Sequence, residues 1–109
     1  MYTDPAHTRA MSQADLDAVL DKHAALRAEL TASGELVGGA GLALPDETTV
    51  LRLGPGGIAT ADGPLADDAA VHVTAYYEIE CATRERAGEI AGRLLDDHVV
   101  AVELRRIHS

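Results

Sequence analysis

Tryptophan and phenylalanine are absent, and three tyrosines are the only aromatic residues in the 109-residue chain. A core without large rings must be assembled from Leu, Val, Ile and Ala; the 47% hydrophobic content suffices for one such core, so residues 1–109 read as a single domain. Modest stability is expected of it, which favours burying more area in a homodimer. The single cysteine, Cys81, excludes an internal disulfide and makes a reducing cytoplasm the expected compartment. Lys and Arg number 9 against 18 Asp and Glu, and a formal charge of −9 argues against gripping a nucleic-acid backbone. No apolar run reaches transmembrane length, and Met1 opens no basic-then-apolar leader, so no membrane association is expected.

The residues that are present alternate between helical and extended signals. Pro5–Met11 reads as a loop. Ser12 then caps a helix, with Leu16, Val19, Leu20, His23, Leu26 and Leu30 on one stripe and Ser33-Gly34 as the stop. Leu36–Leu42 reads as a strand whose glycines permit a bulge or a close backbone approach. Thr48–Leu53 and Ile58–Ala61 flank Gly54-Pro55-Gly56-Gly57 as a hairpin. After the Asp62-Gly63-Pro64 turn, period two puts Val71, Val73, Ala75, Tyr77 and Ile79 on one face and His72, Thr74, Tyr76, Glu78 and Glu80 on the other. Thr83 caps a second helix with Ala87, Ile90, Ala91, Leu94 and Leu95 inward, and Asp96-Asp97-His98 ends it. Val99–Ile107 reads as the last strand, with Val100, Val102 and Leu104 facing one way and Ala101, Glu103 and Arg105 the other. Two amphipathic helices set between strands predict an α+β sandwich of the ferredoxin-like split β-α-β type with an appended β-hairpin.

Asp62-Gly63-Pro64-Leu65, followed by Tyr76-Tyr77-Glu78-Ile79, resembles the signature of the YCII-related proteins, in the branch named for its Asp-Gly-Pro-Phe motif. Gly34-Glu35-Leu36-Val37-Gly38-Gly39 and Val102-Glu103-Leu104-Arg105 resemble further segments of that family, in the same order. Leu65 stands where the family has Phe, and Ala69-Ala70 where Lys-Glu is typical. The resemblance implies a homodimeric α/β barrel, sheet against sheet. It also implies an active-site pair of His23 with Asp4. Tyr2-Thr3-Asp4 matches only the end of the family's first, central strand, so either the true start lies upstream or another segment or subunit covers the gap.

His23 stands out on residue type alone, because an imidazole on a packing stripe must find a partner or lose proton affinity. A carboxylate on one ring nitrogen would leave the other as a general base near neutral pH. Geometry opposes the pair with Asp4: along a straight helix from Ser12, His23 lies about 16 Å from the strand end. The two meet only if the first helix is broken or the section before Ala18 folds away. Asp62 either stabilises its own turn or closes over a cavity lined by Tyr76, His72 and Arg105. In that cavity Tyr76 would donate a hydrogen bond and Arg105 clamp an acidic ligand, while a cross-strand or intersubunit ion pair explains Glu103 and Arg105 equally well. His7, His98 and His108 lack paired ligand spacing and read as solvated, so neither a metal nor a cofactor is expected.

Two functions remain open at this level, beside a dimeric scaffold with no site. One is acid/base chemistry on a small polar or phenolic molecule, a cofactor-independent lyase or isomerase type of activity implied by the resemblance. The alternative is a non-catalytic ligand-binding or regulatory module associated with extracytoplasmic-function sigma factors, also implied by it.

Overall fold

Asp4 and Ser12 each open a helix in the computed structural model, which describes residues 1–108. Asp4 follows the two-residue strand β1 (Tyr2–Thr3), and its side chain accepts from Ala6 N at 2.9 Å. Pro5 occupies the first turn, where a missing N–H costs nothing. The loop expected over Pro5–Met11 is therefore the helix α1 (Pro5–Ala10). Ser12 caps the helix α2 (Gln13–Ser33), accepting from Asp15 N, and Gly34 ends it at φ 78°. Leu26 and Leu30 are buried, but Leu20 falls off the expected stripe and is mostly exposed.

The strand β2 (Leu36–Gly41) pairs with β6 (Ala75–Ile79), with a register shift between Leu36 and Gly38. Gly39 is required there, since a Cβ would meet the Tyr76 carbonyl oxygen at 2.6 Å and Tyr77 Cδ1 at 2.7 Å. The strands β3 (Thr49–Gly54) and β4 (Gly57–Asp62) pair only with each other. They form the appended hairpin, tethered at its base by Gly63 N donating to Thr48 O at 2.7 Å.

The long strand expected from Val71 is interrupted. β5 (His72–Val73) pairs with β1, β6 pairs with β2, and Thr74 lies between them. Thr74 N donates to Met1 O at 3.1 Å and Leu42 N donates to Thr74 O at 2.8 Å, so hydrogen bonds pass across the break. The alternation slips by one residue here. Val73 lies opposite Tyr2 and is 45% exposed, whereas Tyr77 and Ile79 pack on the core. His72 lies opposite Thr3, which is buried, so His72 does not share a face with Tyr76 as the simple alternation predicted.

Thr83 caps the helix α3 (Arg84–Leu94) by accepting from Arg86 N. The strand that follows, β7 (Val99–Ala101), is much shorter than the run Val99–Ile107 expected for it. Its partner β1 offers only Tyr2 and Thr3, so no ladder exists to hold the rest extended. A bulge also changes its facing: Val99 is buried and Val102 packs on the core, while Val100 is half exposed. Every strand pair is antiparallel, giving a mixed α+β architecture. Leu26 and Leu30 of α2 meet Ile90 and Leu94 of α3 in the core, with Met1, Leu36, Tyr77, Ile79, Cys81 and Val102 against them. Among the described residues, no helix is long and apolar enough to cross a membrane.

Candidate functional site

A tyrosine at a core-facing strand position and a histidine on a helix stripe both need polar company, and here they find each other. His23 Nδ1 lies 2.7 Å from the Tyr77 hydroxyl, with the rings 5.8 Å apart in an edge arrangement. The Arg27 guanidinium stands 5.7 Å above the Tyr77 ring, a cation–π distance. Burial pushes the Tyr77 hydroxyl above its ordinary value, with Arg27 opposing. Burial also pulls His23 below the usual imidazole value, helped by Lys22 and against the nearby Asp96. Both groups are therefore neutral at pH 7, joined by one hydrogen bond.

His23 borders a cavity of about 230 Å³ between the helices and the sheet. Its polar lining comprises Thr3, Thr8 and Thr74 with His23 and His98, and its apolar lining includes Val19, Leu42, Leu44 and Val99. The Thr3 and Thr74 hydroxyls lie 2.8 Å apart. The slip in alternation produces this wall, since Thr74 and its neighbour Ala75 both border the cavity. A second cavity, of about 380 Å³, lies between α1, the start of α2 and the Asp96–His98 turn.

The sequence-predicted residues divide differently from expectation. Asp4 makes its side-chain hydrogen bond to Ala6 N, while His23 bonds Tyr77, so the two are not hydrogen-bonded to each other. The first helix is broken, at Met11–Ser12, but His23 sits well inside the second segment. Asp62 ends β4 opposite Thr49 and is exposed at the hairpin base. His72 Nε2 lies 2.9 Å from Ala69 O, and Tyr76 is half exposed. Arg105 donates to Glu103 at 2.9 Å, but the two are exposed and two residues apart on one segment, not the cross-strand pair expected, and Glu103 also accepts from the Tyr2 hydroxyl at 2.7 Å. None of Asp4, Asp62, His72, Tyr76 and Arg105 borders either cavity.

Tyr77 is the site residue that sequence reasoning missed. Its signal was legible: it shares a predicted face with Ile79, as His23 shares one with Leu26, and two polar groups on facing apolar stripes should pair. His98, read from sequence as solvated, borders both cavities, and its Nδ1 is buried without a hydrogen-bond partner. Among the described residues no three His, Cys, Asp or Glu side chains converge to hold a metal ion. Set against known proteins, the chain matches no family model and no curated protein.

Proposed function

We propose that this chain is a YCII-like protein of the Asp-Gly-Pro branch, in which His23 carries acid/base chemistry on a small polar or phenolic molecule. The observation that carries this reading is His23, held by Tyr77, at the edge of a mostly apolar cavity of about 230 Å³ that Thr3, Thr8, Thr74 and His98 also line. An apolar cavity of about 150 Å³ accepts benzene, so this one has room for a substituted single ring. The threonine hydroxyls and imidazoles supply hydrogen bonds to ring substituents. Either partner can donate in the His23–Tyr77 hydrogen bond; the reaction uses the tautomer in which His23 Nδ1–H donates to the Tyr77 oxygen, so that the Nε2 lone pair takes a proton from the bound molecule. Tyr77 thus does the orienting work first ascribed to Asp4. Asp4 acts at one remove, by starting the helix that brings Thr8 to the cavity wall.

The succession β7, β1, β5 with β6, then β2, all antiparallel neighbours, supports the ferredoxin-like order within this reading. The helices cover one side of that sheet, and Val73, Tyr76 and Val100 stay about half exposed. Exposed apolar residues of this kind favour pairing with a second copy as an α/β barrel dimer.

Phenol titration followed by NMR of the histidine rings tests the site. His23 resonances should move on binding and the response should vanish in Tyr77→Phe together with His23→Ala. No His23 response up to millimolar phenol removes the reading. Binding without proton transfer to any phenolic or keto-acid probe favours the regulatory alternative, with a sigma factor as the partner to try.

A further inference from the structure

His98 is half-buried on the turn between α3 and β7, and the turn leaves it little freedom. Asp96 Oδ1 accepts from His98 N at 2.8 Å and from Val99 N at 2.6 Å, and Asp96 Oδ2 accepts from Lys22 Nζ at 2.6 Å. The imidazole so placed borders the cavity that His23 borders, and also the larger cavity beside α1. The groups around it are His7 of α1 at a ring distance of 6.1 Å, Asp96 of its own turn, and Lys22 and His23 of α2.

Its buried Nδ1 has no hydrogen-bond partner among the described residues. A proton there would be an orphaned N–H in the interior, which costs more than an unused lone pair. The ring proton therefore sits on Nε2, on the edge of the ring turned away from that buried atom. Burial also holds His98 below the usual imidazole value, so the ring is neutral at pH 7.

We propose that His98 is a second ligand-binding group of the His23 cavity, donating from Nε2–H to an oxygen of a phenolic or carbonyl ligand while His23 takes the proton. This rests on the reading of that cavity given above. Neither imidazole can do both jobs at once. His23, in the tautomer that serves as base, offers its Nε2 lone pair, whereas His98 keeps an empty Nδ1 and offers a proton.

Two measurements decide it. In the wild-type protein at pH 7.5, nitrogen-15 NMR should show His98 as the Nε2–H tautomer; the Nδ1–H tautomer overturns the proposal whether or not any ligand binds. With phenol as the probe, His98→Ala should weaken binding about tenfold, the loss of one buried hydrogen bond. His98→Gln, whose amide N–H reaches the Nε2 position, should stay within about threefold of wild type, while His98→Asn, which reaches only the Nδ1 position, should behave as Ala. Equal losses in all three variants, or no loss in any while His23→Ala abolishes binding, overturn the role of His98 and leave that of His23 intact. Absence of phenol binding by the wild type overturns the cavity reading and the donor role together.

Discussion

The helix-covered body and the β3–β4 hairpin use the same small aliphatic residues, and only the body buries them. Leu30 and Ile90 are essentially inaccessible, while Leu53 is 86% exposed and its cross-strand partner Ile58 is 72% exposed. Leu51 lies on the same hairpin face as Leu53 and is also exposed. Residue type does not separate the two regions. A third element does: α2 and α3 close over β2 and β6, but among the described residues no element closes over β3 and β4. A lone two-stranded ribbon is marginal in water, so the hairpin persists through its turn and the bond at its base rather than through packing.

Substitutions can sharpen or break this contrast. Leu30→Ala should cost about 3 kcal/mol in urea unfolding, by lost transfer energy plus a cavity between two helices. A cost below about 1 kcal/mol would mean the body is no better packed than the hairpin. Gly39→Ala comes next, at about 2 kcal/mol, because the added methyl drives into the Tyr76 carbonyl and the Tyr77 ring. It should also shift the His23 NMR signals, through displaced Tyr77. Tyr77→Phe should cost about 1 kcal/mol by leaving a half-buried imidazole nitrogen unpaired. At the hairpin, Leu53→Ala should cost less than about 0.5 kcal/mol. A larger loss that grows with protein concentration would instead place a second copy over the ribbon, and sedimentation would detect it.

Acid titration probes the body alone, in two windows. Hydrogen bonds from Arg86, at 2.9 Å from both Nε and Nη2, hold the Glu35 carboxyl down at about 2, from an ordinary 4.5. The unfolded chain binds that proton first, so the stability it contributes is present above about pH 4.5 and is lost as pH falls through about 2. Glu35→Gln should flatten that lower limb in urea midpoints measured against pH. His23 and His98 are both lowered by burial, so the unfolded chain binds their protons first too, below about pH 6.5. Stability should therefore begin to fall on acidification from about pH 6.5, and a double replacement of the two histidines by Gln should remove that upper limb.

The extent to which the sequence disclosed the site follows from how far each partner lies along the chain. Ser12 and Thr83 accept from backbone N–H groups of the first helical turn, Gly34 supplies its own left-handed turn, and the glycine-rich link between β3 and β4 makes its own hairpin. Each depends on neighbours a few residues away, and each was legible. The helix at Pro5 was equally local, with Asp4 and Pro5 as its signals, but its brevity hid it behind the stronger start at Ser12. His23 was singled out because polarity on an apolar stripe is visible in any sequence. Tyr77 carried the same kind of signal, a polar group on one face with Ile79, but it lies 54 residues away, and nothing local joins the two.

Sequence by itself determined the caps of α2 and α3, the hairpin of β3 and β4, and that His23 would need a partner, because those follow from backbone hydrogen bonding and periodicity over one or two turns. Tertiary structure alone decided that β1 would lie between β5 and β7, that β7 would end with it, and that Thr74 would shift the phase of the central strand. It also brought His98 to the cavity that His23 borders. The reason is that a residue's facing depends on every pairing made before it along the strand. One bulge, set by a partner distant in sequence, turns each later side chain to the opposite side.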